Sequence, residues 1–451
     1  SRLDEPRSLG LQSGESSQKD GGGWFRCEIW PDPNKSCVTL EPAIKGVTSE
    51  KIPWLVVARR CSPWSRLIQR PLLISLEVET TMRVLRKTPK PDITSFVQGI
   101  RNHTPFTRVH LIELFLDQEV MEHILEKYLD GKWVKPQADD IQSQKAYWDN
   151  HIQVWHSLGY DYVHMVPIGE NDGLRFPTMR RTTADTAHLS RQERAWTNQD
   201  TGPISSWEEF DKYPWPKTDH VNLEIFEYVA EHLPEGMGIF VCPSSGILEI
   251  PLNDLLGYTN LCYLMYDNPE LVRAVFDRVG EILLSWYKQL VGLDRLVGFF
   301  QGDDMGFKTA TLLPPDFLRE HVLPHHRRLA ELAHDHDLLY FLHACGNLDS
   351  ITPDLIDDVG IDGKHSFEDE IEPVTVFQQK YGDKVTPLGG IDVDRLCRAN
   401  EADLREHVAK VLDTCMPKGP YALGSGNTVT NYVGIENYLA MLDEGLAWAN
   451  R

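Results

Sequence analysis

From about residue 95 to the C-terminus, short apolar runs alternate with longer helical patterns. This alternation constrains the fold more than any other feature. Two parallel strands cannot be joined by a tight turn, and the helix between them is the usual crossover. The candidate strands are 109–115, 160–168, 238–243, 296–301, 338–345, 360–366, 385–391 and 420–424. Each is bounded by Gly, Pro or Asp and is rich in Val, Ile, Leu, Phe and Tyr. Between them, residues 269–291 carry Leu271, Val275, Ile282, Trp286 and Leu290 at helical spacing. Residues 315–335, 401–414 and 436–448 repeat the pattern. Eight strands alternating with helices over about 350 residues predict an α/β chain folded as a single (β/α)₈ TIM barrel, with a doubly wound open sheet as runner-up.

Two long connections, 169–216 and 244–270, follow strands and would build the mouth of such a barrel. The first 81 residues read differently. Residues 1–23 are rich in Ser, Gly and charge, and no regular period covers 24–70. The expectation is a poorly structured or accessory N-terminal extension over 1–81 and a barrel over 82–451. Met82, which opens a basic, polar lead-in, is the expected native start. The net charge of −22 argues against a nucleic-acid partner, because phosphates select Lys and Arg. No run reaches the ~18 apolar residues of a membrane helix. The eight cysteines follow no framework spacing, so a reduced, cytoplasmic setting is expected.

The sharpest chemical signal is His343-Ala344-Cys345-Gly346. On a strand, residues i and i+2 share a face, so an imidazole and a thiol converge as zinc prefers. Gly302-Asp303-Asp304-Met305-Gly306 follows the fourth strand, and neighbouring aspartates there must point in opposite directions. One of Asp303 and Asp304 is expected to act in catalysis or to orient a metal-bound histidine. Glu368, after the sixth strand, is expected to approach His343 and Cys345 as a catalytic residue or metal ligand. Gly389-Gly390-Ile391-Asp392 and Gly424-Ser425-Gly426-Asn427 let the backbone approach a ligand, which makes Asp392, Ser425 and Asn427 candidates for cofactor binding. All these clusters fall at the C-terminal ends of strands. No Gly-x-Gly-x-x-Gly follows a strand and no Gly-x-Ser-x-Gly is present.

Taken in order, these motifs, with Pro214-Trp215-Pro216 and Ile435-Glu436-Asn437-Tyr438, resemble the uroporphyrinogen decarboxylase superfamily over roughly residues 95–450. The resemblance implies a (β/α)₈ barrel, often a homodimer, acting on a small molecule. Its decarboxylase branch works without cofactor on a polycarboxylate tetrapyrrole. That branch places arginines after the first strand and an aspartate after the second, and neither is found here. Its zinc methyltransferase branch uses a His-x-Cys on the fifth strand and a further cysteine on the eighth, where this chain has Ser425. The related cobalamin-independent methionine synthases add a glutamate, and Glu368 holds a similar position. The resemblance therefore implies a zinc-dependent methyltransferase, with His343, Cys345 and Glu368 as ligands. It would move a methyl group between a small methylated donor and a thiol or a corrinoid, the latter carried by a partner protein. The alternatives are a cofactor-free decarboxylase and a metal-free binding barrel.

Overall fold

The computed structural model describes residues 38–42, 54–58, 85, 90–166, 174–178, 180–191, 193–198, 200–218, 221–243 and 245–448. The chain divides into two compact units, Ser1–Met82 and Arg83–Arg451. In the first, β1 (Val38–Pro42) and β2 (Trp54–Ala58) form an antiparallel pair.

The second unit is the expected α/β barrel. Its parallel strands are β3 (His110–Leu111), β4 (Tyr162–Met165), β7 (Gly238–Val241), β8 (Leu296–Gly302), β9 (Leu339–His343), β10 (Gly363–His365), β11 (Thr386–Pro387) and β12 (Ala422–Leu423). The long connection after β4, expected as loop, contains a hairpin of β5 (Arg180–Ala184) and β6 (Glu193–Thr197). From β4 to β11, six strands pair in chain order. The bridge Leu388↔Ala422 carries the order on to β12, and β12 pairs with β3.

Several strands are shorter than their apolar runs. Most flanking residues of 109–115 and 420–424 are buried but lie outside the strands, and Ile168 lies outside the described residues. Among the described residues no backbone ladder joins β3 to β4. Side chains span that seam instead. His110 Nδ1 meets Asp161 Oδ2 at 2.6 Å, and Tyr162 Oη accepts the Glu113 N–H at 2.8 Å and donates to the Glu113 carbonyl. His164 Nδ1 donates to the Leu114 carbonyl.

The strand period decides what fills the barrel. Phe240 of β7, Phe300 of β8 and Phe341 of β9 meet inside, with centroids 4.8 Å apart for Phe240–Phe341 and 5.5 Å for Phe300–Phe341. Gly298, two residues before Phe300 on the same face, leaves room for the Phe240 ring, which a Cβ there would meet at 2.7 Å. Helix Ile93–Arg101 closes one end through Phe96, 6.2 Å from Phe341. The register sets Gly302, His343 and His365 side by side at the other end.

Candidate metal centre at the barrel mouth

Alternation along β8 separates the two aspartates. Gln301 and Asp303 face outward, toward the helices. Asp303 is fully buried and accepts from Leu248 N at 2.9 Å and Glu249 N at 2.9 Å, and it meets His326 Nε2 at 2.7 Å. It ties a helix and a loop to the strand end and does not reach the mouth, so the catalytic role expected for it has no geometry behind it. Asp304, one residue on, turns into the mouth.

There Asp304, His343 and Cys345 bring their donor atoms within 4.8 Å of one another. His343 Nε2 stands 3.4 Å from Asp304 Oδ1 and 3.4 Å from Cys345 Sγ. The Cys345 N–H donates to Asp304 Oδ1 at 2.8 Å. Zinc with bonds of about 2.0–2.3 Å in a tetrahedron spaces its ligands by about 3.3–3.8 Å. Carboxylate oxygen, imidazole nitrogen and sulfur together form a donor set suited to zinc.

The protonation pattern of the histidines supports the same reading. His365 Nε2 lies 3.1 Å from the Ser425 carbonyl, to which it can only donate. Burial, then the neighbouring His343 and Lys364, keeps His365 neutral by pulling its pKa well below the ordinary value. A neutral ring that donates from Nε2 accepts at Nδ1. His343 Nδ1, 2.7 Å away, must therefore donate to it. This leaves His343 Nε2 as the nitrogen turned toward Asp304 and Cys345, with its tautomer fixed from behind, as metal-bound imidazoles are held.

Without a metal, that nitrogen carries a proton. Burial opposes the charge, but Cys345 and Asp304 outweigh it and raise the His343 pKa to about 10. Burial likewise opposes ionisation of Asp304, yet His343 and the Cys345 N–H hold it down at about 2.

The other expected residues are placed as follows. Glu368 is exposed and does not join the three donors. Burial of its carboxyl, then Asp392, raises its pKa. Asp392 caps a helix, accepting from Asp394 N and Asp369 N at 2.7 Å each. Ser425, expected from the resemblance to stand at a ligand position, turns its hydroxyl to Glu113 and the Asn427 carbonyl. The strand-eight residue that touches the thiol is Asn427, whose Nδ2 lies 3.1 Å from Cys345 Sγ.

Two residues of the mouth escaped the sequence reading. Glu249 lies in the loop after β7, just before a π-helical turn at Ile250–Leu255. Burial, then Asp304 and Asp303, raises its pKa to about 8. A lone glutamate in a long loop carries no periodic signal. His365 stood in view beside Lys364, but only the register places it against His343.

The comparisons agree with this architecture. The uroporphyrinogen decarboxylase (URO-D) family model matches residues 250–446, which include β8 to β12 and all three donors. Residues 250–446, with five of the eight barrel strands, are thus similar in sequence to the uroporphyrinogen decarboxylase family. Among solved structures, the fold is similar to that of a methyltransferase from Methanosarcina mazei. The two share 13% identity with a TM-score of 0.57, over 79% of this chain and 98% of that one. A B12-independent methionine synthase from Shewanella sp. W3-18-1 aligns at 13% identity and a TM-score of 0.47, over 76% of this chain and 96% of that one. A comparison with curated proteins finds no match. Among the described residues, no helix is long and apolar enough to cross a membrane.

Proposed function

We propose that this barrel is a zinc-dependent methyltransferase whose metal is held by Asp304, His343 and Cys345. The observation that carries the reading is the convergence of three unlike donors, with His343 Nε2 3.4 Å from both Asp304 Oδ1 and Cys345 Sγ. Bound there, zinc supplies a Lewis acid that makes a substrate thiol or alcohol nucleophilic near neutral pH. The chain's own residues do the rest. His365 fixes the tautomer of His343. Asn427 holds the Cys345 sulfur through its amide. Glu249, whose pKa is raised to about 8, is largely protonated at neutral pH and is suited to donate a proton or a hydrogen bond to the reacting group. The methyl donor is a small methylated molecule or a methylcorrinoid presented by a partner. The methyltransferase from Methanosarcina mazei, similar in fold, accords with this reading. Asp304 takes the ligand place first expected of Glu368.

The test is elemental analysis of the full chain purified without chelator, followed by competitive chelator titration. One zinc per chain is expected, and it should be lost in Cys345→Ser and His343→Ala. The zinc-loaded protein should then catalyse attack of 2-mercaptoethanol on methylcobalamin. The thiolate sulfur bonds to the methyl carbon, the cobalt–carbon bond breaks, and its electron pair stays on cobalt as cob(I)alamin. Metal-free wild-type protein that takes up no added zinc would overturn the proposal in favour of a cofactor-free lyase.

A further inference from the structure

Beside the three donors lies a small cleft, open to solvent, with about 20 Å³ of free volume. Its lining includes Asn347, Lys364, Ser366, Phe367, Glu368 and Glu372. Lys364 alternates outward from β10 and is only 7% exposed. Its ammonium donates to the Ser366 carbonyl and lies 4.1 Å from the Phe367 ring centre and 5.6 Å from that of Phe377. Among the described residues, no carboxylate forms an ion pair with it. Glu372, on the same cleft, is instead paired with Lys380 at 2.5 Å. A buried ammonium without a counterion is costly to maintain, and two of its three N–H groups have no oxygen partner among the described residues.

We propose that this cleft is a subsite for a small monocarboxylate, with Lys364 as the counterion of its carboxylate. Burial pushes the amine down to about 8, with Glu372 partly offsetting it, so most of the population is still charged at pH 7. A single lysine matches a single negative charge. The acidic side chains at the cleft, Glu368, Glu372 and Asp349, oppose every anion, dianions and polycarboxylates more strongly than a monoanion. Ser366 connects the cleft to the metal centre, because its carbonyl accepts from Lys364 while its hydroxyl lies 3.6 Å from Cys345 Sγ. A carboxylate on Lys364 therefore leaves the other end of a short molecule beside the sulfur. The substrate class thus named, a small acid bearing the methyl-accepting or methyl-donating atom, rests on the methyltransferase reading. The anion site itself does not.

The test titrates the full chain with propionate, propionamide and inorganic phosphate, before and after zinc loading. Propionate should bind, and Lys364→Met should weaken it by at least about tenfold, the scale of one charge-assisted hydrogen bond. Propionamide and phosphate should bind more weakly than propionate. In the unaltered protein, propionate should slow reductive methylation of Lys364, read by peptide mass, and propionamide should not. This second measurement decides the matter if the variant fails to fold. Propionate affinity unchanged by Lys364→Met, no protection of Lys364, or phosphate bound as tightly as propionate would overturn the subsite. Because propionate is also titrated without zinc, loss of the metal reading would leave this result standing, and the reverse holds.

Discussion

At the end of the eighth barrel strand, Asn427 rather than Ser425 reaches the thiol. Ser425 was expected from the resemblance to stand at a ligand position, but its hydroxyl is held by Glu113 and the Asn427 carbonyl. Asn427 instead places an amide nitrogen 3.1 Å from Cys345 Sγ. Ser425→Cys should therefore leave zinc affinity unchanged. Asn427→Asp, which puts an anionic oxygen where the amide stands, should tighten it by about tenfold in a chelator competition. A reversal of the two results would place Ser425 at the metal. Glu113 gives a prediction in pH. It is fully buried, and burial raises its pKa from 4.5 to about 8 against the hydrogen bonds from Ser425. The folded state therefore binds the proton more tightly than the unfolded chain. The resulting stability is fully present below pH 4.5 and is lost as pH rises to about 8. Glu113→Gln keeps an acceptor for Ser425 N–H and cannot ionise. Its melting midpoint should be flatter than wild type from pH 5 to 8, and parallel profiles would refute the assignment.

A strand has two faces, and β8 shows what that period makes legible. The sequence reading held that only one of Asp303 and Asp304 could face the mouth, and the pleat delivers that result. Which one faces it depends on where the strand ends, and apolar runs do not mark ends. The same limit explains why β3, β11 and β12 are shorter than expected: residues such as Leu114, Val385 and Tyr421 are buried beside these strands without belonging to them. His343 and Cys345 were legible because both lie within three residues of one strand end. Asp304, His365 and Glu249 come from three other segments, and only register and loop packing bring them near. The two aspartates should separate experimentally. Asp303→Ala strips partners from His326, Leu248 N and Glu249 N in a dry interior, and should cost about 3–5 kcal/mol in denaturant unfolding. Asp304→Ala, at a more exposed site, should lose zinc affinity with a much smaller change in stability. Equal destabilisation by both would mean that Asp304 is structural too.

At the scale of the whole chain, the strand order runs around the barrel from β4 through β12 to β3, and the remaining seam depends on side chains. Tyr162→Phe removes the hydroxyl that both accepts from Glu113 N and donates to its carbonyl. It should cost about 1–3 kcal/mol, the penalty for leaving buried backbone groups unpaired. A neutral substitution would show that backbone bonds close the seam. The barrel unit, residues 83–451, holds every strand in that order, all three donors and the helix whose Phe96 plugs one end. Leu85, close to the unit boundary, already belongs to its apolar core. Residues 1–23 are too poor in apolar side chains to form a core, so the expectation is that the barrel's cooperativity does not depend on the extension. A chain starting at Met82 should then keep the melting midpoint of the full chain and its zinc stoichiometry. Aggregation, or a midpoint lower by more than a few degrees, would mean that the first 81 residues supply core contacts the barrel requires.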